Sequence, residues 1–213
     1  MKIGILGTGD VGKALGKGFI TLGHEVKMGS RDAANEKALA WAREMGPKAS
    51  AGTFADAAAF GEIVVLATLG EANESALRSA GPEKFRGKVV IDTTNPLDFS
   101  SGMPKLVVPE GGSAGAQVQR LLPDAHVVKA FNTVGNAHMF RPDFPGGPPD
   151  MFICGNDEEA KKKVAAILTD FGWGTVDVGG IDASHYLEAM CLVWVLYAIR
   201  TKTWNHAFKL LRK

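Results

Sequence analysis

The sequence predicts an α/β fold: a doubly wound, mostly parallel sheet with helices on both faces, followed by a short C-terminal helical extension. Three observations predict it. Short apolar runs alternate with segments of helical periodicity as far as about residue 181. Several of those runs, Ile63–Ala67 and Lys88–Asp92 among them, are nearly continuous, as strands covered on both faces are. A glycine-rich turn joins the first run to the first helical segment. With 213 residues, 46% hydrophobic and 22% charged, the chain can bury one large domain over 1–181, leaving 182–213 as a helical extension that packs or dimerises.

Lys2–Leu6 reads as the first strand, Val11–Leu22 as a helix and Glu25–Met28 as the second strand. A helix from Ala33 to about Met45 stops at Gly46-Pro47, since glycine relaxes the backbone and proline cannot continue the helix. Ala49–Ala51 is a short third strand, and Thr53-Phe54-Ala55-Asp56 has the spacing of a capping box opening another helix. After Ile63–Ala67 and Lys88–Asp92, Ser113 is the expected N-cap of a helix that Pro123 ends, and Val127–Phe131 is the next strand. Arg141–Pro149, with four prolines and two glycines, is a loop. Met151–Cys154, a helix from Asp157 to Phe171 and Thr175–Val178 finish the alternation. From about Ala183 the pattern reads as one helix to the end of the chain. No repeat or low-complexity tract interrupts it.

Charge excludes several functions. Lys and Arg (24) nearly balance Asp and Glu (23), so no global field draws in nucleic acid or an anionic membrane. The apolar stretch Ala189–Ile199 is far shorter than the ~20 residues of a membrane span and suits a buried or interface helix. Cys154 and Cys191 form neither a metal-ligand pattern nor a disulfide framework, which fits a reducing cytoplasm. Met1-Lys2-Ile3 enters a strand directly, so no signal peptide is expected ahead of the fold.

The chemistry begins at Gly7-Thr8-Gly9-Asp10-Val11-Gly12, a G-x-G-x-x-G between a strand and a helix, which makes the fold Rossmann-type. Gly7 permits the tight turn. Gly9 lets backbone N–H groups approach a pyrophosphate at the helix N-terminus, and Gly12 lets helix and strand pack closely. Gly16, four residues on, lies on the same helix face and suggests a closely apposed strand. Which dinucleotide binds is decided after the second strand, where an NAD site places a carboxylate on the ribose 2′-hydroxyl. Here the residues are Ser30 and Arg31: a hydroxyl donor and a planar guanidinium suited to the 2′-phosphate of NADP, with Thr8 within reach. Asp32 is the competing NAD feature, one register step away.

With these residues in view, the chain resembles the coenzyme F420-dependent NADP oxidoreductases and, more distantly, the cytoplasmic reductase domain of the STEAP metalloreductases. The resemblance rests on Met1–Gly9 and its following glycines, on Gly29-Ser30-Arg31, on Val128-Lys129-Ala130-Phe131-Asn132-Thr133 and on Cys154-Gly155-Asn156-Asp157. It involves nearly the whole chain. It implies hydride exchange between NADPH and a small electron carrier, coenzyme F420 or a flavin such as FMN or FAD. The nicotinamide would lie at Thr68-Leu69, Asn95-Pro96 and Asn132-Thr133, and no side chain would act as acid, base or nucleophile, because the carriers hold the chemistry. The residues agree: no Tyr-x-x-x-Lys pair is present, Tyr186 and Tyr197 being followed four residues later by Met190 and Thr201. The ~30 residues after the sheet are also too few for a large helical substrate domain. Two other readings use the same motif: a non-enzymatic NADP(H)-sensing regulator, and the electron-input subunit of a metalloreductase.

Each residue has a plainer reading beside the functional one. Asn95-Pro96 equally makes an Asx-type turn, and Asn132 and Thr133 equally end a strand in a loop. His138 is expected in a solvated loop. His185 and His206 lack partners at metal-ligand spacing, and both cysteines read as structural. Tyr186, Leu187, Met190, Trp194 and Tyr197 recur at helical spacing as core packing or as a homodimer face. Lys202, Lys209, Arg212 and Lys213 with Trp204 and Phe208 make a basic, amphipathic end that a solvated face accounts for.

Overall fold

A computed structural model describes all 213 residues. The first half contains β1 (Lys2–Leu6), α1 (Asp10–Thr21), β2 (Glu25–Ser30), α2 (Glu36–Met45), β3 (Ala49–Thr53), α3 (Phe54–Phe60), β4 (Ile63–Leu66), α4 (Asn73–Ala80) and β5 (Val89–Asp92). A small hairpin follows, β6 (Leu97–Asp98) and β7 (Lys105–Leu106), which the sequence pattern did not announce. Then come α5 (Ala114–Leu121), β8 (His126–Lys129), β9 (Asp150–Gly155), α6 (Glu158–Asp170), β10 (Gly174–Asp177) and α7 (Ser184–Thr201).

The caps expected at Ser113 and Thr53 form, and two more are found at Asn35 and Asp157, because each offers an oxygen to an orphan helix N–H. Asn35 accepts from Ala38 N (3.1 Å), Ser113 from Ala116 N (3.1 Å) and Asp157 from Ala160 N (2.7 Å). Thr53 and Asp56 close the capping box reciprocally.

The sheet order is β10-β9-β8-β5-β4-β1-β2-β3. The strands from β3 to β8 run parallel, and the chain crosses from β3 to β4 past β1, so the strand order reverses between β1 and β4. Alternate side chains feed two layers, as the period of a strand requires. Ile3, Ile5, Val26 and Val65 pack with α1, α2 and α6, whereas Leu6, Val64, Leu66 and Val90 pack with α3, α4 and α5. β9 breaks the parallel run by pairing antiparallel with β8, and β10 follows β9 in parallel. A parallel return would need a helical crossover. The segment from Ala130 to Pro149 forms only a turn of 3-10 helix at Asn136–His138, so the chain re-enters the sheet at the carboxyl end by which β8 leaves it.

Two expectations need correction. The terminal helix does not reach the end of the chain: α7 stops at Thr201, and Lys202 takes a left-handed conformation (φ 55°) that turns the chain back. Continuing the helix would carry the last dozen residues ~18 Å outward with Trp204 and Phe208 in water. The folded-back tail instead stacks His206 on Trp194 (4.7 Å between rings), accepts the Trp194 indole N–H at His206 O (3.0 Å), and packs Phe208 against the Trp194 cluster. Gly16 also has a different neighbour. A Cβ there would lie 2.5 Å from the Trp41 indole of α2 and 3.2 Å from the Ile5 side chain, so it is chiefly an aromatic ring, not strand backbone, that fills the space. No helix is long and apolar enough to cross a membrane.

Candidate active site

The carboxyl ends of β1, β2, β4, β5 and β8 open on one crevice, where the strand order reverses and open α/β sheets bind ligands. At its centre is the glycine turn. Gly7 has φ +129°, and a Cβ on it would lie 2.2 Å from Ala67 O and 3.2 Å from Thr68 N, so the turn lies directly against the end of β4. A Cβ on Gly12 would lie 2.5 Å from Gly7 O, which is the close packing that position requires. Gly9 is different: an added Cβ would meet nothing within 4 Å, so no contact within the fold demands glycine there. Gly9 is the N-cap of α1 and no side chain caps the helix. Its first N–H groups and the positive end of its dipole are free for an anion. Asp10 is exposed, while Thr8 and Val11 are half-buried beside it. An anionic pyrophosphate fits this cradle, because the space a Gly9 side chain would fill is empty and borders the uncapped α1 amides.

One strand away, Gly7 N donates to Gly29 O (3.1 Å), which ties the turn to the end of β2. Arg31 is exposed there and forms no ion pair. Ser30 is buried, and its hydroxyl donates to Asp32 O in the turn that presents Arg31. Asp32 turns one carboxylate oxygen onto Ala34 N (2.9 Å), an Asx turn that holds this side chain against the backbone after Arg31.

On the other side of β1 the predicted residues join through hydrogen bonds. Thr68 Oγ1 donates to Asn73 Oδ1 (2.7 Å), and Asn73 Nδ2 donates to Thr94 Oγ1 (2.8 Å). Asn95 Nδ2 donates to Asn132 O (2.8 Å), while Asn132 Nδ2 donates to Asn95 Oδ1 (3.0 Å) and to Leu187 O (2.9 Å). Phe131, in the left-handed region (φ 60°), makes the turn that brings Asn132 back to this pair. A Cβ on Gly70 would lie 2.6 Å from Asn95 O, so the β4 and β5 loops touch and Pro96 is buried beneath them. Leu69, 73% exposed, stands on the rim. Thr133 departs from expectation: it is buried, with its hydroxyl against Met151 Sδ (3.8 Å) in the interior rather than in the crevice. The chain passes through the core before it can return to the surface.

Beneath the crevice lies a cluster that the sequence reading passed over. Lys129, fully buried at the end of β8, donates to Asp92 Oδ2 (2.8 Å) and Thr94 O (2.7 Å) and pairs with Glu188 Oε1 of α7 (3.2 Å). Asp92 also accepts from Thr94 N (2.9 Å) and Thr94 Oγ1 (2.7 Å). Glu188 accepts from Ala114 N (3.1 Å) and Gly115 N (3.0 Å), so a carboxylate from α7 caps α5. Burial by itself pushes the Lys129 ammonium toward the neutral form, but Asp92 and Glu188 outweigh it and hold its pKa above the ordinary value. One signal was available: a lysine within the apolar Val127–Phe131 and an aspartate closing Val89–Ile91, since a charge in a doubly covered strand must have a partner. No three His, Cys, Asp or Glu side chains are grouped to hold a metal ion.

Comparison with known proteins follows the same lines. Residues 2–96 match the family described as NADP oxidoreductase, coenzyme F420-dependent. An F420-dependent NADP reductase of Methanocaldococcus jannaschii is 32% identical over 214 residues, covering 95% of both chains. The rat metalloreductase STEAP3 is 27% identical over 191 residues, which span 90% of this chain and 36% of that one. Among solved structures, a candidate F420-dependent NADP-reductase from Arthrobacter sp. FB24 superposes with a TM-score of 0.92 at 39% identity over the whole of both chains. A reductive aminase from Aspergillus terreus shares the fold, with a TM-score of 0.67 at 21% identity, and this chain spans 62% of it. The glycine turn, the sheet order around it and the extent of these matches agree: the chain belongs to the coenzyme F420-dependent NADP oxidoreductase family and is an NADP-dependent oxidoreductase.

Proposed function

We propose that this chain exchanges hydride between NADPH and coenzyme F420, with FMN or FAD as the competing class of acceptor. The observation that carries the reading is the uncapped N-terminus of α1 beside an unpaired guanidinium at the end of β2, in a chain resembling F420-dependent NADP reductases over nearly its full length. In this reading the α1 amides and Gly9 receive the pyrophosphate, and Arg31, with Thr8 and the Ser30 turn, receives the 2′-phosphate. The nicotinamide half then extends past Thr68 toward Asn95, Pro96 and Asn132, because β4, β5 and β8 lie on the side of β1 away from Arg31.

The two carriers supply the redox chemistry when bound; one hydride moves between them and the accompanying proton is exchanged with solvent. The chain's own residues bind and orient. Thr68, Leu69 and Asn95 present a hydroxyl, apolar surface and an amide, with the buried Pro96 and Asn132 supporting them from behind, and no ionisable side chain is among the five. Catalysis here is a matter of holding two planar rings at reacting distance. The exposed Leu69 gives an apolar rim against which a small planar carrier can rest.

A homodimer belongs to the same proposal. Tyr186, Val193 and Tyr197 are all more than half exposed along one face of α7, an apolar stripe that a second copy would cover. Two buried, unpaired cysteines fit a reducing cytoplasm. Stopped-flow oxidation of NADPH with F420, FMN, FAD and riboflavin tests the function. The expected result is oxidation that depends on F420. Tight NADPH binding without turnover on any acceptor would replace the enzyme with a redox-sensing regulator.

A further inference from the structure

The buried cluster under the crevice has a direction built into its protons. Asp92 faces the Lys129 ammonium at 2.8 Å and, as a carboxylate, can only accept hydrogen bonds. Thr94 Oγ1 lies 2.7 Å from Asp92 Oδ1, so the single hydroxyl proton of Thr94 points at Asp92. Thr94 Oγ1 can then only accept from its other neighbour, Asn73, which must turn its NH2 toward Thr94 and its carbonyl oxygen toward Thr68. Thr68 in turn must donate its proton to Asn73 Oδ1, at 2.7 Å. Asn73 and Thr94 are 1% and 3% exposed, so no water competes for these bonds. Only Thr68, half-buried, reaches the crevice, and it does so with lone pairs alone.

We propose that Thr68 is an obligate hydrogen-bond acceptor for a hydroxyl of the nicotinamide ribose, its own proton held inward by a relay running from Lys129 through Asp92, Thr94 and Asn73. The proposal rests on the dinucleotide placement above. Its position argues for that group: Thr68 N lies 3.2 Å from where a Gly7 Cβ would stand, so Thr68 is beside the pyrophosphate cradle. It is also on the β4 side of β1, away from Arg31, where a ribose is the first unit beyond the pyrophosphate. A ribose hydroxyl is a ready donor, and a hydroxyl free to rotate would lose that preference. Asn73, Thr94 and Asp92 are positioning residues; they touch the ligand only through Thr68.

Calorimetric titration of the full chain with NADPH and with 2′,5′-ADP, which lacks the whole nicotinamide nucleotide, tests this. Thr68→Val combined with Asn73→Leu removes the acceptor without leaving a buried amide unpaired. It is expected to weaken NADPH roughly three- to tenfold, the worth of one neutral hydrogen bond, and to leave 2′,5′-ADP within about twofold. Thr68→Ser is expected to rescue NADPH affinity. Asn73→Leu alone, which frees the Thr68 proton, is expected to weaken NADPH partway, and adding Thr68→Val to it should cost less than Thr68→Val costs in the parent chain. Equal losses for both ligands, strictly additive losses, or no loss in a variant that melts like the parent would overturn the relay. Failure of the parent chain to bind NADPH would be a different result, removing the dinucleotide placement itself.

Discussion

Substituting methionine for Lys129 tests whether the charge cluster under the crevice holds the fold together. The ammonium contacts Asp92 Oδ2 at 2.8 Å, Thr94 O at 2.7 Å and Glu188 Oε1 at 3.2 Å, all in the interior. Methionine keeps most of the volume and removes the charge, leaving two buried carboxylates facing each other across the site. Breaking a buried ion pair from one side costs about 3–5 kcal/mol. Here the lower end applies, because each carboxylate keeps two other donors: Thr94 N and Oγ1 for Asp92, Ala114 N and Gly115 N for Glu188. At roughly 2–4 °C per kcal/mol for a chain of this size, Lys129→Met should melt about 6–12 °C below the parent at neutral pH.

The pH dependence has a definite sign. The Lys129 pKa is higher in the folded chain than its ordinary value of 10.5, so its stabilisation is whole below that value and is lost as pH rises through the folded one. The difference between parent and variant should therefore be flat from neutral pH to about 10 and shrink above it. Melting followed by circular dichroism across that range decides it. A variant melting within about 2 °C of the parent at neutral pH would refute the argument, since the cluster would then contribute less than one kcal/mol or so.

Four further outcomes follow from the same geometry. Gly9→Ala should leave the melting temperature unchanged, because its Cβ meets nothing, yet weaken NADPH more than about tenfold by standing in the pyrophosphate cradle; Gly7→Ala, with φ +129° and a Cβ 2.2 Å from Ala67 O, should destabilise the fold itself. Arg31→Ala should raise the NADPH dissociation constant more than about tenfold and barely change that for NADH; equal weakening of both would dismiss the 2′-phosphate assignment. Val193→Glu, at a 58% exposed position on α7, should convert a dimer to monomers in sedimentation without lowering the melting temperature of the monomer, and a parent already monomeric would rule out the interface. Burial pushes the Cys154 and Cys191 thiols up to about 12, so at pH 8 an aromatic disulfide reagent should label neither until the chain unfolds; rapid labelling of the native protein would contradict their placement.

The reading of Gly7–Gly12 illustrates what a linear pattern can deliver. Backbone sterics and the first turn of a helix act over a few consecutive residues, so the tight turn at Gly7 and the close packing at Gly12 were legible before any coordinates. Gly16 shows the limit: its place on the helix face followed from spacing, but the ring that fills the space, Trp41, comes from another helix. Its position after a strand predicts Thr133 in the crevice, yet it meets Met151 of a strand whose antiparallel entry no local signal announces. Periodicity predicts helix through the tail because it cannot weigh the burial Trp194 offers to a chain that turns back.

What the chain determined by itself was whatever depends on near neighbours: the alternation of strands and helices, the caps at Thr53 and Ser113, the glycine turn, and the cation placed after β2. What only the tertiary structure decided was whatever joins distant segments, namely the pairing of β8 with β9, the folding back of residues 202–213, and the meeting of Asp92, Lys129 and Glu188. The physical reason is desolvation. A charge or an aromatic ring must find its partner somewhere in the interior, and that demand is visible in the sequence, whereas the partner's identity depends on which surfaces the sheet brings together.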